Sequence, residues 1–417
     1  MELKRVVVTG LGTISPLGSN LPDTWKAMQA GESGAAPITR FDASKFKTKF
    51  ACEVKDYDAK AYFDRKELRK LDLYSQFALI SADEAIAHSG LDFDVTDTDR
   101  VGVIWGSGIG GLETFISEVS GFARGDGTPR FSPFFIPKMI ADIAAGHISI
   151  KYGLKGPNFS TVSACASSAH ALSDAFNLIR LGKASAFVAG GSEAAINEAG
   201  VGGFNAMHAI STRNDQPEKA SRPFDKDRDG FVLGEGGGAL VFEELEHARA
   251  RGASIYAEVI GTGMSGDASH MTSPHPEGEG AVRSMKEALK DAGIEAVAID
   301  HINTHGTSTP LGDLAEPKSI LNVFGDHAPK ISINSTKSMT GHLLGAAGAI
   351  EAIATILAVK NDLVPPTINL DERDPEIDDT LDFTTGKAKK QQVNYGLSNT
   401  FGFGGHNATL IFKKYKE

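Results

Sequence analysis

Cys165 in "ACASS" (164–168), His305 in "NTHGTSTPLGD" (303–313) and His342 in "STKSMTGHLLGAAG" (335–348) are the residues of this chain best suited to chemistry. A thiol with histidines can run acyl transfer through a thioester: sulfur takes the acyl group and imidazole handles the proton or the oxyanion. Ser, Thr and Ala precede Cys165 and a helical pattern follows it. The thiol is therefore expected at a helix N-terminus, where free N–H groups and the macrodipole favour thiolate. The plain alternatives are a packed structural cysteine and two satisfied core histidines. His305 directly follows a strand, beside the hydroxyls of Thr307 and Thr309 and a Gly306 that lets a ligand approach the backbone; His342 opens a helix rich in Gly and Ala. Two histidines in small-residue turns at matching positions weigh against the packing alternative.

Two glycine-rich stretches bear on the same chemistry. "GLSNTFGFGGHN" (396–407) is able to offer a backbone N–H to an oxyanion, or is simply a hairpin turn. "GSGIGG" (106–111) follows a strand, but it lacks the spaced third glycine and the acidic strand-end partner of a dinucleotide loop, so phosphate cradling is rejected.

The 417 residues are 41% hydrophobic and 23% charged, a composition with ample core for a soluble globular protein and no sign of disorder. Cys52 is the other cysteine. Two distant cysteines form neither a disulfide framework nor a metal-ligand spacing, so free thiols in a reducing, cytoplasmic setting are expected, with Cys52 a small buried hydrophobe. The opening "MELKRVVVTGLG" fits neither a signal nor a transit peptide. "LLGAAGAIEAIATILAV" (343–359) carries Glu351 in its middle and is short for a bilayer, so no membrane span is expected. A net charge of −11 argues against nucleic-acid binding by the whole surface. Basic clusters at 45–49, 65–70 and 387–390 leave room for a local acidic partner.

These residues must be positioned by an α/β framework. Short β-branched runs such as "RVVVTG", "VGVIWGSG", "SAFVAGGSE", "ALVFEE", "HINTHG" and "ATLIFKK" alternate with helical patterns such as "ELRKLDLYSQFALISADEAIAHSG" (67–90) and "PKMIADIAAGHISIKYG" (137–153). The pattern repeats. "SACASSAHALSDAFNLIRLG" matches "NSTKSMTGHLLGAAGAIEAIATILAVKND" in running from a Ser/Thr-rich turn into a long buried helix, and "KRVVVTGLG" matches "IYAEVIGTG". Two similar halves, 1–252 carrying the cysteine and 253–417 carrying both histidines, are the expected organisation.

Taken in order, "ACASS", "NTHGTSTPLGD", "STKSMTGHLLGAAG" and "NTFGFGGHN" resemble the elongating β-ketoacyl-[acyl carrier protein] synthases of type II fatty acid synthesis, nearly end to end and including "SRPFDKDRDGFVLGEGGGALVFEE" (221–244). The resemblance implies a thiolase-like fold, five-layered αβαβα, with two α/β halves about a pseudo-twofold axis, usually as a homodimer. It implies that Cys165 attacks an acyl-carrier thioester while the Cys165 and Phe403 amides hold the oxyanion. His305 and His342 then stabilise the enolate formed by malonyl decarboxylation, as neutral Nε2 donors. Lys337 is expected to orient the His342 turn and pair with Glu316, and Asp313 to support the site. Thr307, Thr309, Thr272 and Ser273 are expected along the substrate arm, with Ile109 and Phe204 in the acyl pocket as in the synthase II subgroup and Phe403 as its gate.

No free cofactor is implied, because substrates arrive on the phosphopantetheine arm of acyl carrier protein. Arg65, Lys66, Arg69 and Lys70, expected on one helix, offer that carrier a basic patch, although an ordinary solvated face reads the same way. A structural monovalent cation near Asn303, Glu351, Ser398 and Asn399 is a further implication. The chain departs from its relatives at His208, where many have a carrier-contacting arginine, and at His406, where some have threonine. Three other readings stay open: a polyketide-type ketosynthase, a non-catalytic chain-length partner, and a Cys-His thioester hydrolase. The initiating synthases carry Asn where this chain has His342, and thiolases have a second cysteine near the C-terminus that is absent here.

Overall fold

Nine consecutive buried residues form strand β1 (Val6–Ile14), the pattern of a strand covered on both faces. This computed structural model describes residues 3–416. After β1 the first half runs α1 (Leu21–Ala30), α2 (Arg65–Leu68), α3 (Leu73–Ser89), β2 (Val101–Gly106), α4 (Leu112–Ala123), α5 (Phe135–Met139), α6 (Ile143–Tyr152), β3 (Asn158–Thr161), α7 (Ser167–Arg180), β4 (Ala186–Glu193), α8 (Glu198–Ala206), β5 (Gly236–Glu244) and α9 (Leu245–Ala250). The second half runs β6 (Ala257–Gly266), α10 (Glu279–Ala292), β7 (His301–Asn303), α11 (Gly312–Phe324), β8 (Ser332–Asn334), α12 (Lys337–Thr340), α13 (Ala347–Asn361), β9 (Asp382–Phe383), β10 (Tyr395–Gly402) and β11 (His406–Lys413).

The strands repeat one pairing pattern. In the first half the order is β1-β5-β4-β2-β3, and in the second β6-β11-β10-β7-β8 with β9 added at the edge. In each half the first two pairings are antiparallel and the next two parallel. Val6–Val8 pair antiparallel with Ala257–Val259, so the hydrogen-bonded ladder is continuous between the halves. Helices α7 and α13 pack together at the centre, where a Cβ on Gly348 would lie 2.8 Å from the Ala169 backbone nitrogen. Helix α3 covers the outer face of the first half and α10 and α11 that of the second. This is the five-layered, thiolase-like arrangement. The helices α7 and α13 are the two whose sequence patterns match, and β1 and β6 the two matching strands.

The helix expected over 67–90 is broken. α2 ends at Leu68, and Asp72 caps α3 by accepting the Tyr74 N–H while its other carboxylate oxygen takes the N–H and hydroxyl of Thr114. The pattern at 137–153 likewise divides into α5 and α6 around Ile140–Asp142. Helix α8, unexpected because Gly200, Gly202 and Gly203 lower its propensity, is nucleated by Asn197, whose side chain accepts the Gly200 N–H. The apolar segment Leu344–Asn361 is long enough to cross a membrane, but 89% of it is buried inside the molecule.

Candidate active site

Cys165 lies at the turn between β3 and α7, and the residue before it, Ala164, has φ 49°, a left-handed conformation strained for a residue with a Cβ. Ser167 closes this elbow: its hydroxyl accepts the Ser163 N–H at 2.9 Å and donates to the Ala164 carbonyl at 2.6 Å. The helix follows, so the thiol stands just ahead of an N-terminus. The second half brings the histidines to it. His342, after α12, is stitched to the strand-like segment before β5 by its N–H on Val232 and its carbonyl under the Gly234 N–H. Its Nε2 atom is 3.0 Å from the Cys165 sulfur. His305 follows β7, and its ring meets that of His342 edge to face with centroids 5.3 Å apart.

Phe403 is at the tip of the β10–β11 hairpin, and its N–H points at the Cys165 sulfur. The glycine-rich stretch is thus both a hairpin turn and a backbone donor. Cys165, His305, His342 and Phe403 line one cavity of about 570 Å³. The same cavity is lined by Thr307, Thr309, Ile109, Phe204, Thr272 and Ser273, all singled out from the sequence, and by Asp313 and Glu316. The hydroxyls of Thr307 and Thr309 lie 2.9 Å apart, and Asp313 holds their loop by accepting the N–H groups of Thr307, Ser308 and Phe224.

The electrostatics correct one expectation. Burial pushes the Cys165 thiol up to about 12, against the opposing pull of Lys337 and the Phe403 N–H, so the resting sulfur is protonated rather than held as a thiolate by the helix. Burial likewise pushes both His305 and His342 well below the ordinary histidine value, reinforced by the Lys337 charge. Both imidazoles are therefore neutral.

Lys337 corrects another. Its ammonium pairs with Glu351, not Glu316, and lies 3.3 Å from His305 Nδ1. Glu316 instead accepts the N–H groups of His305 and Gly306, each at 2.9 Å, and the Asn399 side-chain amide at 3.2 Å. Burial raises both carboxyls to about 7. The Lys337 ammonium donates to Nδ1 of His305, which leaves the imidazole proton on Nε2.

The basic patch is not on one helix: Arg65 and Lys66 are in α2, while Arg69 and Lys70 lie in the turn after it, all four exposed and without an ion pair among the described residues. His208 (φ 54°) lines the cavity mouth, and His406 packs over Gly404 and against His170. Of the residues named for a cation, Asn303 Oδ1 and Ser398 Oγ are buried without a hydrogen-bond partner, which suits an oxygen-ligated ion. Glu351 and Asn399, however, are occupied by Lys337 and by Glu316 and Thr409.

Three supporting residues carry no signal in the sequence. Asp267 pins the hairpin tip: its N–H donates to the Gly405 carbonyl and its carboxylate accepts the Asn407 amide. His170 bonds the Ser163 hydroxyl at 2.6 Å beneath the elbow. Glu193 gathers backbone N–H groups around the loop that carries Ile109.

Comparison with known proteins identifies the family. Residues 3–248 match the model of the beta-ketoacyl synthase N-terminal domain and residues 256–371 that of the C-terminal domain. A 3-oxoacyl-[acyl-carrier-protein] synthase 2 from Coxiella burnetii is 52% identical over 99% of this chain and 99% of that protein. Among solved structures, the ishigamide ketosynthase/chain length factor is 35% identical with a TM-score of 0.92, covering 99% of this chain and 100% of that one. A type II polyketide ketosynthase, AntDE, solved with its acyl-carrier protein AntF, is 32% identical with a TM-score of 0.90 over 99% of this chain and 100% of that one. A thiol at a strained elbow, two neutral histidines and matches across both halves lead to one assignment: this chain belongs to the beta-ketoacyl synthase family.

Proposed function

We propose that this chain is a 3-oxoacyl-[acyl carrier protein] synthase of the elongating type. Cys165 takes an acyl group from an acyl-carrier thioester and joins it to malonyl-[acyl carrier protein], giving 3-oxoacyl-[acyl carrier protein], CO2 and free carrier. The observation that carries this reading is Cys165 within 3.0 Å of His342, beside a second histidine whose tautomer Lys337 fixes.

In the first half-reaction, sulfur attacks the thioester carbonyl as its proton passes to His342 Nε2, and His342 hands that proton to the departing carrier thiolate, returning to neutral. The developing oxyanion faces the N–H groups of Cys165 and Phe403. In the second, the malonyl carboxylate departs as CO2 and its electron pair becomes an enolate, whose oxygen faces the Nε2–H of His305 and that of His342 in its other neutral tautomer, which His342 can adopt because its buried Nδ1 has no hydrogen-bond partner among the described residues. The enolate carbon then attacks the acyl carbonyl on Cys165, and the sulfur leaves as thiolate and takes a proton from solvent. Neutral donors suit this step, because a charged acid would quench the carbanion.

A hydrolase would need no second histidine. The 52% identity to a 3-oxoacyl-[acyl-carrier-protein] synthase 2, against 32% to the type II polyketide ketosynthase, favours fatty acid elongation over a polyketide role. Retention of Cys165 speaks against a non-catalytic partner.

The partner is acyl carrier protein, met by the exposed Arg65, Lys66, Arg69 and Lys70. Substrates on its pantetheine arm leave no need for a free cofactor, and two free thiols favour a cytoplasmic setting. A homodimer is favoured by the unpaired edge of strand β3, with the exposed Phe159 and Val162 on and beside it, and by the exposed Phe115, Phe122 and Ile136 of α4 and α5. Ile109, 40% exposed, lines the cavity.

Mass spectrometry of the protein incubated with an acyl-carrier thioester and then malonyl-[acyl carrier protein] tests the reading. An adduct on Cys165, absent in Cys165→Ala and chased into a product two carbons longer, supports it. Release of free acid without extension would favour the hydrolase, and no adduct a non-catalytic partner.

A further inference from the structure

Glu193, the last residue of β4, is fully buried and forms no ion pair among the described residues. A carboxylate without a cation is expensive to bury, so what compensates it marks what it does. Its Oε2 atom accepts the Gly108 N–H at 2.7 Å and the Gly345 N–H at 3.0 Å. Its Oε1 atom accepts the Ile109 N–H at 3.1 Å and the Ser107 hydroxyl at 3.1 Å. Ser107 in turn accepts the Gly110 N–H at 3.0 Å.

The groups so gathered belong to two separate walls of the cavity. One is the Ser107–Gly110 loop, which presents Ile109; the other is the turn at Leu344, a cavity-lining residue held at φ 48°. These walls interlock so closely that a Cβ on Gly345 would lie 2.2 Å from the Gly108 nitrogen, and one on Gly108 would lie 3.4 Å from the Ala164 carbonyl at the Cys165 elbow.

We infer that Glu193 is a positioning residue for acyl selection: it ties the Ile109 loop to the Leu344 turn, so that the acyl cavity keeps a fixed width and long acyl tails are held in line with Cys165. This rests on the proposed function, in which the cavity receives an acyl chain. Glu193 touches no reacting atom and acts through the two walls. An acetyl group is too short to depend on their spacing; a palmitoyl tail must run between them.

Glu193→Gln tests this because either orientation of the amide sets its NH2 against backbone N–H groups, of Gly108 and Gly345 at one oxygen position or of Ile109 at the other, breaking at least one link while preserving volume. Ser107→Ala is the milder companion, removing one contact. Rates of acyl-Cys165 formation are measured with acetyl- and palmitoyl-carrier thioesters, alongside malonyl decarboxylation. The expected result for Glu193→Gln is a loss of at least about tenfold with palmitoyl, with acetyl transfer and decarboxylation held within about twofold. Ser107→Ala shifts the palmitoyl-to-acetyl ratio the same way by less, and decides the matter if Glu193→Gln does not fold. Equal loss on both acyl groups, or an unchanged ratio, overturns the inference. A wild-type protein that acylates with neither substrate would instead overturn the functional reading on which it rests.

Discussion

Lys337 Nζ lies 3.3 Å from His305 Nδ1, and this contact decides which nitrogen of the imidazole faces the cavity with a proton. The ammonium is itself fixed by Glu351, both side chains being almost wholly buried. Replacing Lys337 by Met removes the charge that fixes the tautomer. Malonyl decarboxylation is expected to fall by about 10²–10³-fold, the usual cost of a lost oxyanion donor. Acylation of Cys165, which uses His342 instead, should fall far less. The unpaired Glu351 should take up a proton, limiting a destabilisation otherwise near 3–5 kcal/mol for a broken buried pair. Separate decarboxylation and acylation assays, with a thermal melt, check the three statements.

The protonation state of Cys165 has its own signature. With the thiol pushed up to about 12 and both histidines neutral, no thiolate–imidazolium pair exists at rest. Alkylation by iodoacetamide, read as mass on Cys165, should accelerate about tenfold per pH unit from neutral pH to pH 9 without levelling off, because only the thiolate reacts. A plateau near neutrality would reveal an ion pair instead. Condensation itself should tolerate mild acid, since the lowered histidine pKa values keep both imidazoles neutral as pH falls through 6.5.

Gly402 sets the distance between the hairpin tip and the nucleophile. A Cβ there would come within 2.9 Å of the Ser163 carbonyl and 3.1 Å of the Cys165 nitrogen, so Gly402→Ala must push the Phe403 N–H away from the sulfur. Acylation should drop by about 10²-fold. His305 and His342 are untouched, and decarboxylation should stay near the wild-type rate.

Charge reversal separates carrier docking from chemistry. Changing Arg65, Lys66, Arg69 and Lys70 to Glu should raise KM for the acidic carrier about tenfold or more and flatten its dependence on salt. Turnover of a small acyl-pantetheine thioester should not change. Steady-state kinetics with both substrates over a salt series gives the comparison.

What the sequence determined by itself was the inventory and its order. Local rules sufficed for Cys165 ahead of a helix, for His305 after a strand, and for the paired patterns of α7 and α13, because turn chemistry and hydrophobic period act over a few residues. Resemblance of motifs supplied the reaction class and the names of the cavity residues. Tertiary structure decided the relations between residues far apart in the chain: which carboxylate Lys337 meets, that Glu193 clamps two walls, and that Asp267 latches the hairpin. Glu316 and Glu351 are equally plausible partners for Lys337 in one dimension, and only the packing of α13 against β10 sets Glu351 beside it. Burial is also a property of the assembled layers. The helix terminus alone favours a thiolate at Cys165, whereas enclosure by both halves removes the water that would solvate it and keeps the thiol protonated.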